Sequence, residues 1–128
     1  MNKKNMGIWM DHSAAHLMEL KDNTLITSIV TCKFTHEEKE HSLGKSEYLM
    51  HNKEQHEQAE YYKKIAAIIR DCKEVVLFGP TTAKNELVNF IKDDHHFSGI
   101  KIEVKHADKM TANQQHAFVK NHFAHSIN

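Results

Sequence analysis

The chain has 128 residues, of which 40% are hydrophobic and 27% charged. That is the size and balance of one globular domain, and with one Pro and four Gly it excludes a low-complexity or linker-rich chain. The 17 Lys and Arg are matched by 17 Asp and Glu, so no global field draws the chain onto a phosphate backbone, and nucleic-acid binding would need a local patch.

Met1 to Asn5 is basic, but Asp11 and His12 interrupt the apolar residues behind it. This pattern makes neither a signal peptide nor a membrane span, and the expected location is the cytoplasm. Residues 6–11 read as a first strand, with Ile8, Trp9 and Met10 as its apolar part. Residues 14–20 read as a second strand, with His12 and Ser13 at the turn. Asp22-Asn23 is a tight-turn signal, and residues 24–34 follow as a third strand rich in β-branched side chains. Three strands joined by short turns predict an antiparallel meander.

Residues 35–51 are polar, mixed in charge and contain Gly44, the composition of a long loop. Residues 52–72 turn helical, with Tyr62, Ile65, Ala66 and Ile69 on one face. Val75-Val76-Leu77-Phe78 is a short apolar run suited to a buried central strand. Gly79-Pro80-Thr81-Thr82 leads into a helix to about Lys92, whose apolar face is Leu87, Val88 and Ile91. Residues 100–106 alternate Ile100, Ile102 and Val104 with Lys101, Glu103 and Lys105, a period-two strand. A last helix over 111–124 carries Phe118, Val119 and Phe123 inward, and Thr111 with Gln114 forms a capping box at its start.

The order β-β-β-α-β-α-β-α predicts an α/β domain over residues 1–128, with its core at about 6–124. The sheet is mixed: a three-stranded antiparallel meander followed by βαβα crossovers. Cys32 and Cys72 form no CxxC pair and read as free, part-buried thiols of a reducing compartment.

Several stretches together resemble the second domain of the archaeal and eukaryotic release factor and Pelota family, and its stand-alone bacterial relatives. Gly7-Ile8-Trp9-Met10-Asp11 with Ala14-Ala15 resembles the opening strand and turn of that domain. Lys39-Glu40-His41 leads into the loop where release factors carry a Gly-Gly-Gln tip. Tyr61-Tyr62-Lys63-Lys64-Ile65-Ala66 resembles the long helix, and Val75 to Pro80 the next strand and turn. The resemblance implies an RNase H-like α/β fold and a translation-related role, with ribosome, RNA or a protein partner as its contact. In place of the tip the chain reads His41-Ser42-Leu43-Gly44-Lys45-Ser46-Glu47, with one Gly and no Gln. Between Lys33 and Lys64 there are six Lys against seven Asp and Glu, whereas a segment inserted into ribosomal RNA would be expected to be basic. The expectation is a non-catalytic module with no peptide-release activity.

Other residues are candidates for chemistry. Asp11, at the end of the first strand, is where an RNase H-type nuclease would place a metal-binding carboxylate, so a metal-dependent nuclease or phosphotransfer enzyme is the alternative reading. The plainer reading is that Asp11 caps the turn with Ser13. Gly79 to Lys84 lies at a strand-to-helix junction that could hold an anion through Thr82 and Lys84, with Lys45 as a further binding candidate. The plainer reading is capping by Thr81 or Thr82, with Asn85 or Glu86 reaching back. The 12 histidines include the pairs His12/His16, His51/His56, His95/His96 and His122/His125. Without a cysteine pair they do not spell a structural zinc site, and neither metal nor cofactor is expected. A self-associating domain is a third reading, which would show an exposed apolar edge.

Overall fold

The computed structural model describes residues 4–32 and 47–126. Strand β1 (Lys4–Met10) is buried from Met6 to Met10, because it lies in the middle of the sheet with both faces covered. That explains its unbroken apolar run, where a one-sided strand would alternate. β2 (Ala14–Lys21) pairs antiparallel with β1, and β3 (Thr24–Thr31) antiparallel with β2. The β2–β3 turn is Asp22-Asn23, with φ of 51° and 70°. Positive φ at both central residues gives the twist that a two-residue hairpin needs, and Asp and Asn tolerate it better than most side chains.

Helix α1 (Glu47–Ile69) follows, then β4 (Cys72–Gly79), α2 (Ala83–Ile91), β5 (Lys101–His106) and α3 (Ala112–Ser126). The sheet order is β3-β2-β1-β4-β5, with β4 parallel to β1 and β5 parallel to β4. The expected mixed α/β sheet, meander first and parallel crossovers after, is the arrangement observed. Boundaries shift by a few residues in most elements, and two shifts stand out. β3 ends at Thr31, and α1 starts at Glu47, inside the stretch expected to be loop. Tyr48-Leu49-Met50 are followed by an unbroken polar run over residues 51–58, so no periodic apolar stripe marks that helix start.

Two cores result. On one face Ile8, Met10, Leu17, Val75 and Leu77 pack against Tyr61, Ile65 and Ile69 of α1 and Leu87 of α2. On the other, Trp9, Met18, Val76 and Phe78 meet Val119 and Phe123 of α3. Burying a side chain of this size contributes about 1.5–3 kcal/mol. Gly7 lets α3 approach: a Cβ there would overlap Val119 Cγ2 and lie 2.9 Å from its Cγ1. Gly79 has φ +149°, and a Cβ there would overlap the Met10 carbonyl oxygen. At the edges, Ile26 and Ile29 of β3 and Val104 of β5 are exposed. Among the described residues no helix is long and apolar enough to cross a membrane.

Candidate functional site at the carboxyl edge of the sheet

β1 and β4 run parallel, so the residues that follow them emerge on the same edge of the sheet. In open α/β sheets this is the edge where ligands bind. Here it carries a polar cluster built from four segments. Asp11 and His12 follow β1, Gln58, Tyr61 and Tyr62 come from α1, Thr81 and Thr82 follow β4, and Glu86 lies in the first turn of α2.

Glu86 is the centre of the cluster. Its Oε1 accepts from the Tyr62 hydroxyl at 2.7 Å, and its Oε2 accepts from the Thr82 hydroxyl at 3.0 Å and lies 3.1 Å from His12 Nε2. Burial alone would raise its pKa, but the hydrogen bonds from Tyr62, His12 and Thr82 outweigh burial and hold the carboxyl below its usual value. Burial first, then the hydrogen bond to Glu86, pushes the Tyr62 hydroxyl far above its ordinary pKa, so it stays protonated and donating. The Tyr61 hydroxyl donates to the Asp11 carbonyl at 2.9 Å, and the Gln58 amide to the His12 carbonyl at 3.3 Å. The side chains of His12 and Glu86 remain 41% and 45% exposed, so this pair is open to a partner or solute.

Asp11 caps its turn. Its Oδ1 accepts from the backbone N–H of Ser13 at 2.8 Å and of Ala14 at 2.9 Å. Among the described residues, neither cluster of potential metal ligands includes Asp11. Among the described residues, the convergent carboxylates that two-metal chemistry needs are not assembled around Asp11.

At the start of α2, Thr81 Oγ1 accepts from the Ala83 N–H at 3.2 Å, while Thr82 makes no side-chain cap and bonds Glu86 instead. The expected reach-back by Glu86 therefore goes to a hydroxyl and not to a backbone N–H. Lys84 is buried, and its Nζ donates to the Thr81 carbonyl. Thr82 and Lys84 thus both spend a donor inside the junction, and Glu86 places a negative charge at the helix end an anion would seek. Lys45 and its neighbours 41–46 lie outside the described residues, as do the side chains of His51 and His125. At α3 the capping box is as expected: Thr111 N–H donates to Gln114 Oε1 at 2.9 Å, and Gln114 N–H to Thr111 Oγ1 at 3.2 Å.

Among the described residues, two groups of side chains could hold a metal ion. Asp94, His95 and His96 are consecutive and exposed. Asp94 Oδ1 there accepts from the His96 N–H at 2.9 Å and lies 2.7 Å from His96 Nδ1, an arrangement that closes a short 3-10 turn. Glu74, Glu103 and His122 come from β4, β5 and α3. Sequence reasoning missed this second group and the Tyr62–Glu86–His12 cluster, because each joins residues from separate elements. His122 was visible only as a partner for His125, and Glu103 only as the polar phase of a strand.

With this geometry in hand, comparison with solved structures places the fold as a release-factor-like α/β domain. The chain is similar to Archaeoglobus fulgidus Pelota, with a TM-score of 0.59 and 12% identity over 98% of this chain and 35% of that one. It is similar to the archaeal translation termination factor aRF1, at TM-score 0.54 and 12% identity over 97% of this chain and 39% of that one. It is also similar to Dom34 of S. cerevisiae, a translation termination-like factor involved in RNA quality control pathways and interacting with Hbs1, at TM-score 0.53 and 10% identity over 96% of this chain and 37% of that one. The chain spans little more than a third of the length of these proteins. No family sequence profile matches it, and no curated protein matches it in sequence.

Proposed function

We propose that the chain is a translation-factor-like module that associates with the ribosome in the cytoplasm and does not release peptides. The observation that carries this reading is the fold similarity to Pelota and aRF1 over nearly the whole chain. The absence of peptide release follows from sequence: residues 41–47 read His-Ser-Leu-Gly-Lys-Ser-Glu, which supplies no Gly-Gly-Gln tip to place water at a peptidyl ester. The balanced charge argues against binding dominated by phosphate contacts. The exposed His12–Glu86 pair supports a docking surface that reads specific polar groups.

The test is co-sedimentation of purified protein with ribosomes across a salt series. Retention at low salt with a shallow salt dependence is expected, and no retention even at low salt overturns the reading. A stalled ribosome–nascent-chain complex incubated with the protein should keep its peptide, and release above background would refute the non-catalytic assignment.

A further inference from the structure

We propose that Glu74, Glu103 and His122 form a binding site for a divalent transition-metal ion, with zinc the best-fitting occupant. The three side chains meet on the sheet face that α3 covers. His122 Nε2 lies 3.7 Å from Glu74 Oε2 and 4.0 Å from Glu103 Oε2, and one ligand atom from each residue falls within 4.8 Å of the others. In a tetrahedral zinc site with bonds of about 2.0–2.1 Å, ligand atoms stand roughly 3.4 Å apart. The observed separations exceed that spacing by little more than an ångström at most.

Two of the donor atoms are buried and lack hydrogen-bond partners: Glu74 Oε2 and His122 Nε2. The His122 side chain is only 6% exposed and that of Glu74 13%. An unpartnered buried polar atom is destabilising, the more so when charged. Here two such atoms face each other across a gap that suits a cation. Burial, followed by the charge of Lys105, lowers the His122 pKa against the opposing pull of Glu103 and Glu74. Metal ligation takes the neutral form of an imidazole.

One imidazole nitrogen and two carboxylate oxygens suit zinc and its first-row neighbours. Magnesium and calcium prefer all-oxygen shells, and copper(I) prefers sulfur. Rigid elements hold the donors. β4 and β5 are paired neighbours in register Glu74↔Lys101 and Val76↔Glu103. His122 sits edge-on to the buried ring of Phe123. Glu103, with a side chain 36% exposed, leaves one side of the site open to water or to a donor from a partner.

Lys101 supplies the competing cation. Its Nζ lies 4.0 Å from Glu74 Oε2 and 3.6 Å from Glu103 Oε1, but its side chain is 62% exposed and free to swing into solvent. Zinc must displace this loose ammonium, so removing it should tighten metal binding.

The experiment is titration of the metal-free full chain with cobalt(II), followed by its visible ligand-field absorption, and then zinc competition against a chromophoric chelator. One ion per chain is expected, bound at least tenfold more weakly in His122→Gln and in Glu74→Gln. Lys101→Met should bind severalfold more tightly. His95→Gln/His96→Gln should bind as the parent does, which separates this site from capture at the exposed Asp94 cluster. Glu103→Gln, altered on the open side, reads the site if a buried substitution prevents folding. Absence of a saturable cobalt site overturns the proposal. So does affinity unchanged in both His122→Gln and Glu103→Gln.

Discussion

Replacing Tyr62 with Phe removes one oxygen atom and one hydrogen bond, the 2.7 Å contact to Glu86. Hydrogen bonds to charged groups contribute about 1.5–3 kcal/mol. Tyr62 is buried, but the Glu86 side chain is 45% exposed and can rehydrate, which places the expected loss at about 1–2 kcal/mol. At this chain length that lowers Tm by roughly 4 °C per kcal/mol. Glu86→Gln keeps an acceptor and loses the charge, so it should cost about 0.5–1 kcal/mol. The double variant should cost less than the sum, with a coupling of about 1 kcal/mol.

The pH dependence has a definite sign. Glu86 is held below its unfolded value, near about 4.3 for a free Glu, so its contribution is present above that pH and is lost as pH falls through the folded value. The Tyr62→Phe deficit should therefore be larger at pH 7 than near pH 3. Urea unfolding can be followed by Trp9, the single tryptophan and a buried one. Strict additivity of the two substitutions, or a deficit unchanged between the two pH values, would refute the account of this cluster.

Two glycine substitutions should separate a soft obstacle from a hard one. Gly7→Ala meets the branched end of Val119, so α3 can shift outward at a cost of about 1–3 kcal/mol; adding Val119→Ala should recover part of it, and no recovery in urea melts refutes the steric explanation. Gly79→Ala meets a backbone carbonyl at a φ disfavoured for L-residues, so it should cost more than Gly7→Ala, and an equal or smaller loss counts against that ordering. Burial pushes the Cys72 thiol up to about 11, leaving about one part in a thousand as thiolate at pH 8. In a Cys32→Ser background a thiol reagent should label Cys72 only as fast as the fold opens, and rapid labelling of native protein would contradict its burial.

The sequence spoke clearly where neighbours along the chain decide the structure. Asp22-Asn23 marked a hairpin because both residues tolerate positive φ, and Thr111 with Gln114 marked a helix start because the reciprocal bonds span three residues. The alternation from Ile100 to Lys105 marked a strand with one apolar side. What stayed hidden depends on juxtaposition. Tyr62 read as one more apolar position on a helix face, yet its hydroxyl reaches Glu86 of another helix. Lys84 looked like a free cation at a helix start, yet its stem is buried and its ammonium turns back to Thr81. Glu74, Glu103 and His122 lie in three elements, and no spacing rule connects them.

The strand that leads the chain is the one in the middle of the sheet, where Ile8 pairs with Leu77. β1, β2 and β3 can zip together from tight turns, but the centre closes only when β4 arrives from far along the chain. Long-range closure of this kind slows folding relative to local pairing. Its entropic cost grows only slowly with the length of the connection, by about 0.6 kcal/mol for each doubling. The segment between Thr31 and Glu47, part of that connection, can therefore lengthen, shorten or change sequence across related chains with little effect on whether the sheet forms. The sheet would tolerate an inserted segment there about as well as the one it has.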